Sequence, residues 1–250
     1  MSTSDAGFRE KFLVEERFMP REAKRKLYVT AAGLITIGLA GFLLTLRGVL
    51  LNVAPASIDA PLKSWLYDGR TDFLTGIMIG LAVGFGPIAL PIIILVVVVA
   101  WAIIAKHIWR PMLLAAGTTT GVVLALTITH AVGRHRPPTE LMLFGADSTF
   151  SFPSGHVLGA CNFLLLLTYL IFSRRHNPRA EVSAFILVGL LIVAVALSRI
   201  YLGYHWATDA VASISLSLVI LGAVIAVDTQ RTVRVSAAPS SGGRAASPAP

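Results

Sequence analysis

The sequence predicts an all-α integral membrane protein with six transmembrane helices and a short interfacial helix between the first and second spans. Of its 250 residues, 55% are hydrophobic and only 14% are charged, whereas a soluble domain carries about 25% charged residues. The mean hydropathy is +0.76. Six uncharged stretches approach or exceed the roughly 20 residues that one membrane crossing needs. These observations exclude an ordinary soluble enzyme.

The uncharged stretches define the spans. They are residues 27–46, 73–105, 111–132, 156–172, 182–197 and 210–227. The second stretch would form a helix of about 50 Å, far longer than a hydrocarbon core of about 30 Å, so it must be broken. Gly84, Gly86 and Pro87 supply the break, because proline removes a helix donor and glycine weakens the helix. We therefore expect the second span at 88–105 and a half-helix at the membrane interface over 73–83, within an interfacial segment 58–83.

The remaining parts of the chain are two tails that flank the six-span domain at 27–228. Residues 1–26 are polar and charged, which favours a tail over a cleavable signal peptide. Residues 229–250 are rich in Ser, Ala, Pro and Gly and are expected to be disordered. The single cysteine, Cys161, means that no disulfide can form within the chain.

The distribution of basic residues predicts the orientation. Fifteen of the 21 lysines and arginines fall in the two tails and the second and fourth loops, and six fall in the other three loops. Because basic residues are retained on the cytoplasmic side, we expect both termini in the cytoplasm of a multi-pass plasma-membrane protein. The net charge of +8 is largely this topology signal, and the hydropathy argues against nucleic-acid binding.

Polar residues that are capable of catalysis are concentrated in two outer loops, after the third and fifth spans. One lies between the third and fourth spans and ends in Pro-Ser-Gly-His at 153–156, where the fourth helix begins. The serine of this motif suits an N-cap, its glycine lets a ligand approach the backbone, and a helix start binds anions through its free N–H groups. With Arg136 and Arg199 nearby, the site suits the oxygens of a phosphoryl group.

The second connection carries a histidine and a carboxylate four residues apart, His205 and Asp209. If the sixth helix starts by Tyr204, both lie on one face, and the carboxylate accepts a hydrogen bond from the imidazole. That bond fixes the tautomer, so the other ring nitrogen is available as a nucleophile, while His156 can protonate the departing oxygen.

Together these residues resemble the type-2 phosphatidic acid phosphatase superfamily, lipid phosphatases that share a core with vanadium haloperoxidases. The family's second motif, Pro-Ser-Gly-His, stands at 153–156, and its third, Ser-Arg-x5-His-x3-Asp, at 198–209; the similarity in hydropathy and loop order extends over about 27–227. The resemblance implies a phosphohistidine mechanism without a metal or other cofactor. The residues it implies are the nucleophile His205, its orienting partner Asp209, the proton donor His156, and the phosphoryl-oxygen ligands Arg136, Ser154, Gly155 and Arg199.

The first motif of the family, Lys-x6-Arg-Pro, is incomplete. Thr129 stands where the family has lysine, seven residues before Arg136. A hydroxyl donates one hydrogen bond, but the site lacks a cation that would stabilise charge on the transferring phosphoryl group. Arg134 or His130 are candidates to compensate, and Thr129 and Arg134 are therefore included among the phosphate-binding residues.

We expect a membrane hydrolase that removes a phosphate or diphosphate from a lipid of the surrounding bilayer at the outer face. The first-choice substrate is undecaprenyl pyrophosphate, because an outward site favours the polyprenyl carrier; by resemblance, bacterial members also act on phosphatidylglycerol phosphate or phosphatidic acid. Glu140 and Asp147 do not form a metal-ligand set with Asp209. The sequence carries no signal for an oligomeric state.

Three other functions are compatible with the sequence. One is a phosphotransferase that uses the same site, and another is a lipid-phosphate-binding protein that is catalytically weakened by Thr129. The third is a transporter, which ranks lowest because the spans hold no charged residue near the middle of the membrane.

Overall fold

The structure, a computed structural model, describes residues 19–105, 108–175 and 177–231, so most of the two predicted tails lies outside the described residues. Within these ranges the chain folds into eight α-helices and two short 3-10 turns without strands, which confirms the all-α prediction. The α-helices are α1 (Arg21–Leu51), α2 (Asp59–Asp68), α3 (Asp72–Gly84), α4 (Ala89–Ala105), α5 (Trp109–Val132), α6 (Gly155–Phe172), α7 (Pro178–Tyr201) and α8 (Ala207–Arg231). The 3-10 turns are Ala56–Ile58 and Thr139–Leu141.

Five described helices, α1, α5, α6, α7 and α8, are long and apolar enough to cross a membrane. The pair α3 and α4 meets the same test when taken together, but its two helices are bent by 51° at their junction. The predicted second span therefore corresponds to a broken pair, and six crossings result only if this pair counts as one.

Glycine and proline break the second span where the sequence predicts. Helix α3 ends at Gly84 and α4 begins at Ala89. A Cβ added to Gly86 would lie 2.8 Å from the carbonyl oxygen of Ala82, so only glycine fits this bend without displacement. The same Cβ position is 3.6 Å from Nε2 of His156, which shows that the break abuts one of the predicted catalytic residues.

The interfacial segment contains two helices, α2 and α3, where one short helix was expected. Gly69 ends α2, and Thr71 starts α3 by accepting a hydrogen bond from the backbone of Leu74 at 3.3 Å. Between them, Arg70 donates to the carbonyl oxygens of Tyr201 and Leu141, each from a nitrogen at 3.0 Å. This segment is therefore fixed to the end of α7 and to the loop before α6.

Several helices extend beyond the predicted spans, and three of these extensions reach charged residues. Helix α1 begins at Arg21, inside the expected tail, and α8 continues to Arg231. Helix α7 continues to Tyr201, so Arg199 belongs to its last turn rather than to a loop. Charged residues near the ends do not stop these helices, because their side chains reach polar surroundings while the backbone stays helical.

The N-termini of α6 and α8 lie side by side, and this arrangement positions the site. The backbone N–H of Ser154 donates to the carbonyl oxygen of Asp209 at 3.4 Å, and the hydroxyl of Ser213 donates to the carbonyl oxygen of Ser154 at 3.0 Å. Helix α1 supports α8 from outside, where a Cβ on Gly38 would lie only 2.5 Å from the carbonyl oxygen of Ser215. Small residues thus permit close helix packing.

Candidate active site

The predicted nucleophile, His205, is held by three contacts in the turn between α7 and α8. Its Nδ1 lies 2.9 Å from the carbonyl oxygen of Ser151 and 3.3 Å from Oδ2 of Asp209. Its Nε2 lies 3.0 Å from a guanidinium nitrogen of Arg136. Because Nδ1 faces two acceptors and Nε2 faces a donor, the neutral ring carries its proton on Nδ1 and a lone pair on Nε2. This is the tautomer that nucleophilic attack requires.

The pairing of His205 with Asp209 arises from a helix cap and not from a shared helix face. The sequence suggested a helix starting by Tyr204, whereas α8 begins at Ala207, so His205 precedes it. Asp209, fully buried in the first turn, accepts a hydrogen bond from the backbone N–H of Trp206 at 2.9 Å. This is the return bond of a capping box. It turns the carboxylate back toward the preceding residues, where the imidazole lies.

Arg136 lies at the entrance of the site and connects several loops. It donates to the carbonyl oxygen of Tyr204 at 2.8 Å and to the hydroxyl of Thr149 at 2.9 Å, in addition to its contact with His205. The carboxylate of Asp147 lies 3.0 Å from the same terminal nitrogen of Arg136 that donates to Thr149. In this structure the guanidinium therefore spans the nucleophile and a carboxylate. A phosphoryl group beside Nε2 would lie within its reach.

Arg199 is the second guanidinium of the site and is 4% exposed. It stacks on the ring of Tyr204 at 4.4 Å, and its Nε has no hydrogen-bond partner within the described chain. Tyr204 is fixed in turn by donating to the carbonyl oxygen of Gly145 at 2.6 Å. A buried cation with an unused donor is suited to bind an anion.

The Pro-Ser-Gly-His motif begins α6 as the sequence predicts. Ser154 is the N-cap, and its hydroxyl oxygen accepts a hydrogen bond from the backbone N–H of Val157 at 3.5 Å. Gly155 is exposed and His156 is half-buried, and both line a cavity of about 280 Å³. His156 also lines a second cavity, of about 590 Å³, together with Arg199 and Asp147.

Two of the predicted phosphate ligands are placed differently. Arg134 donates to Oδ1 of Asp209 at 2.5 Å and to Oδ2 of Asp59 at 2.7 Å, so its charge is used by two carboxylates. It lines neither cavity, and the same holds for three other predicted site residues, Arg136, Ser154 and His205. Both terminal nitrogens of Arg134 are therefore engaged in this structure, and its role in place of the missing lysine stays a prediction. Thr129 is half-buried near the end of α5 and also lines neither cavity. His130, the other candidate, is exposed and contacts the carbonyl oxygen of Leu126 at 2.7 Å.

Sequence reasoning missed three residues that contribute to this site. Asp59 contacts Arg134 from the start of α2, and the backbone of Ser151 contacts His205. Asp147 lines the cavity of about 590 Å³, which we call the polar cavity because Asp147 and Arg199 both line it. The sequence assigned Asp147 no role. Each is far in sequence from its partner or lies in a loop without regular spacing. A lone carboxylate before an amphipathic helix was the only available signal for Asp59.

Two groups of the site outside the membrane-spanning helices, His205 and Asp147, have lowered pKa values. Burial lowers the pKa of His205 to about 4, because the imidazolium loses its hydration, and the partly opposing effect of Asp209 does not cancel this. The imidazole is therefore neutral at neutral pH. Burial alone would raise the pKa of Asp147, but hydrogen bonds from Thr149 and the charge of Arg136 outweigh it, so this pKa is lowered and the carboxylate stays ionised.

The sequence of this chain matches the pattern of a known protein family. The sequence pattern of the PAP2 superfamily matches residues 109–232, which include Arg136, the Pro-Ser-Gly-His motif, Arg199, His205 and Asp209. The chain belongs to the PAP2 superfamily. The family resemblance drawn from the motifs is thereby confirmed, and the chain is a membrane phosphatase of this superfamily that acts on lipid phosphates.

Two relatives from Bacillus subtilis extend the similarity beyond the motifs. Phosphatidylglycerophosphatase B of strain 168 is 28% identical over 184 residues, which cover 72% of this chain and 87% of the relative. The crystal structure of the first transmembrane PAP2-type phosphatidylglycerolphosphate phosphatase matches with a TM-score of 0.68 at 25% identity and covers 78% of this chain and 96% of that one. The superfamily fold thus extends to helices outside the matched motif region.

Within the described residues, no group of three His, Cys, Asp or Glu side chains is arranged to hold a metal ion. Two carboxylates of the site, those of Asp59 and Asp209, are bridged by the guanidinium of Arg134. Metal independence itself stays a prediction, and the proposed assay includes a chelator to test it.

Proposed function

We propose that this chain releases phosphate from a membrane lipid by way of a covalent phosphohistidine on His205. Nε2 attacks the phosphorus while the bond from phosphorus to the lipid oxygen breaks, and that oxygen takes a proton from His156. Water then attacks the phosphorus and gives its proton to His156, and the electron pair of the N–P bond returns to Nε2. Arg136 and Arg199 hold the phosphoryl oxygens throughout.

The position of His156 between two unlike cavities is the observation that carries this proposal. The polar cavity contains the charged side chains of Arg199 and Asp147 among mostly apolar neighbours. The other cavity, the apolar cavity, is lined by no Asp, Glu, Lys or Arg of the described chain, and there Leu90 and Ile94 of α4 face α5. A lipid phosphate has the same two parts, a charged headgroup and a hydrocarbon chain, and the oxygen that the acid must protonate lies within the headgroup. A soluble phosphate ester would have no use for the apolar cavity.

Phosphatidylglycerol phosphate is the first substrate to test, since both Bacillus subtilis relatives carry its name. Undecaprenyl pyrophosphate, the expectation from the predicted outward face, is the second. The terminal phosphate is bonded to a headgroup glycerol in the first lipid and to a second phosphate in the other. Both lipids combine a charged headgroup with long hydrocarbon chains, so both suit the two cavities, and only their relative turnover separates them.

Phosphate release by purified protein in detergent, with EDTA present, tests the proposal. We expect release by the wild type, none by His205→Ala, and wild-type rates for His130→Ala, whose exposed side chain lies outside both cavities. Incubation with lipid labelled in the terminal phosphate should give an acid-labile labelled protein only when His205 is present. Turnover that survives His205→Ala would refute the covalent step, and transfer of phosphate to added glycerol in place of water would identify a phosphotransferase.

We also propose that the site opens to the outside of the plasma membrane and that both termini are cytoplasmic. The sole cysteine, Cys161, is fully buried, so a single introduced cysteine reports position without background. An impermeant maleimide added to intact cells should label Glu140→Cys, in the loop before α6, and should not label Arg175→Cys, in the loop before α7. The reverse pattern would invert the orientation.

A further inference from the structure

Asp59 is a buried carboxylate that borders the predicted catalytic histidine–aspartate pair from outside the motifs of the family. It is the first residue of α2 and is 4% exposed. Its Oδ1 accepts the backbone N–H of Thr208 at 2.9 Å, and its Oδ2 accepts the hydroxyl of the same residue at 2.7 Å. Asp59 thus caps a free N–H group in the first turn of α8, the helix that carries Asp209.

Arg134 joins this carboxylate to the catalytic pair. One of its terminal nitrogens donates to Oδ2 of Asp59 at 2.7 Å, and the other donates to Oδ1 of Asp209 at 2.5 Å and to the hydroxyl of Thr208 at 2.8 Å. Oδ2 of Asp209 is left for the imidazole of His205 and the backbone of Trp206. The four side chains therefore form a continuous line from Asp59 to the nucleophile.

The charges along this line explain why a second carboxylate is present. With Asp59, Arg134 and Asp209 ionised and His205 neutral, the cluster carries a net charge of −1. When phosphorus bonds to Nε2 and Nδ1 keeps its proton, the ring becomes cationic and the cluster becomes neutral. Without Asp59, the guanidinium would neutralise Asp209, and the developing imidazolium would meet a cluster of net zero charge.

We propose that Asp59 is a positioning residue for phosphoryl transfer: it pairs with Arg134, which holds the Asp209 carboxylate in place and leaves its negative charge available to His205. This inference rests on the proposed phosphohistidine mechanism. Both carboxylate oxygens of Asp59 are used by Thr208 and Arg134, so its contribution should appear in turnover and not in substrate binding.

Steady-state phosphate release by purified Asp59→Asn, with phosphatidylglycerol phosphate as substrate, provides the first test. We expect kcat to fall roughly 10–100-fold, the range found when a supporting partner behind a functional group is lost, while KM stays within about threefold. The matched control is Asp68→Asn, which removes an exposed carboxylate from the other end of α2 and should leave both constants unchanged.

A double variant separates charge balance from mere structural support. In Asp59→Asn/Arg134→Gln both partners are neutral, so Asp209 again faces His205 with its full charge, and the glutamine amide can still donate to it. We expect kcat to recover at least about tenfold relative to Asp59→Asn. If Asp59 only supported the fold, removing a second member of the cluster would lower activity further.

The outcomes are distinguishable. Wild-type kcat in Asp59→Asn, or a double variant no more active than the single one, would overturn the role of Asp59 while leaving the phosphatase proposal intact. A wild type that releases no phosphate from either lipid would overturn both. If Asp59→Asn fails to fold, as judged by its melting curve, the double variant decides alone: turnover within about tenfold of wild type supports the inference, and turnover at the His205→Ala level refutes it.

Discussion

Replacing Arg199 with methionine should nearly abolish turnover while hardly changing stability, because this buried guanidinium has an Nε without a hydrogen-bond partner in the described chain. It stacks on Tyr204 at 4.4 Å, a contact worth about 1–2 kcal/mol. Its buried Nε has no partner within the described chain, and such a group costs about 1–3 kcal/mol. The two effects have opposite signs and similar sizes, so Arg199→Met should melt within a few degrees of the wild type.

The loss of activity should be much larger. Arg199 lines the polar cavity beside His156, where the transferring phosphoryl group must lie. Removing one donor group aimed at developing charge costs about 2.7–4 kcal/mol, which corresponds to a decrease of about 10²–10³ in kcat. Methionine keeps a similar length and apolar volume, so the decrease reports lost electrostatic stabilisation and not a collapsed cavity.

Arg70→Met is the matched control with the opposite expectation. The Arg70 guanidinium donates to the carbonyl oxygens of Tyr201 and Leu141 and lines neither cavity. Each such bond from a charged donor contributes about 1.5–3 kcal/mol, toward the lower value where solvent reaches it. This variant should therefore melt several degrees below the wild type and keep kcat/KM within about threefold.

The assay combines phosphate release with thermal melting in the presence and absence of orthovanadate, a phosphate mimic. A ligand at a hundredfold excess over its Kd stabilises the folded state by about 2.7 kcal/mol. We expect this stabilisation in the wild type and in Arg70→Met, and its loss in Arg199→Met. If Arg199→Met kept wild-type turnover or the full response to orthovanadate, Arg199 would not bind the phosphoryl group, and the assignment of the polar cavity would be wrong.

Three further predictions follow from single features of the site. Histidine has a pKa near 6.5 in the unfolded chain, and the pKa of folded His205 is about 4. The wild type should therefore lose up to about 3 kcal/mol of stability as the pH falls through this range. Melting temperatures of His205→Gln should depend less steeply on pH, and an equal dependence would contradict the pKa shift. Ala125→Phe should fill the apolar cavity and lower hydrolysis of long-chain lipids at least about tenfold while sparing short-chain esters; an equal loss on both would argue against a chain site. Thr129→Lys should preserve or raise kcat/KM, because it restores a cation that the family pattern places there; a sharp loss would show that Thr129 has its own role.

The sequence predicted those parts of the site in which one short motif both starts a helix and supplies a functional side chain. Pro-Ser-Gly-His contains both a helix cap and a catalytic side chain, so the spacing that predicts the start of α6 also locates His156. The break at Gly84 and Pro87 was predictable for a similar reason, since an apolar stretch of that length cannot cross a bilayer as one straight helix.

The parts that the sequence did not predict depend on contacts between distant segments. Arg134 was expected to bind phosphate because it is a cation two residues from Arg136, but that interval does not determine the direction of a side chain in a loop. Its direction is set by Asp59, which is 75 residues away and whose burial requires a charged partner. Asp147 escaped notice for the same reason, since a loop gives no periodic pattern from which its approach to Arg136 could be inferred.

The site lies between the N-termini of α6 and α8 on one side and the α3–α4 pair on the other. This division indicates which substitutions should alter substrate range and which should alter turnover. On one side, the adjoining N-termini of α6 and α8 are linked by buried hydrogen bonds between Ser154, Asp209 and Ser213. The fold therefore fixes the distance between the proposed proton donor and the proposed nucleophile. On the other side, a Cβ added to Gly86 in the α3–α4 break would lie 3.6 Å from His156, and α4 faces an open apolar cavity. Changes in α4 can therefore adapt the cavity to another lipid chain without moving the reacting groups, whereas any change that separates α6 from α8 should lower kcat for every substrate alike.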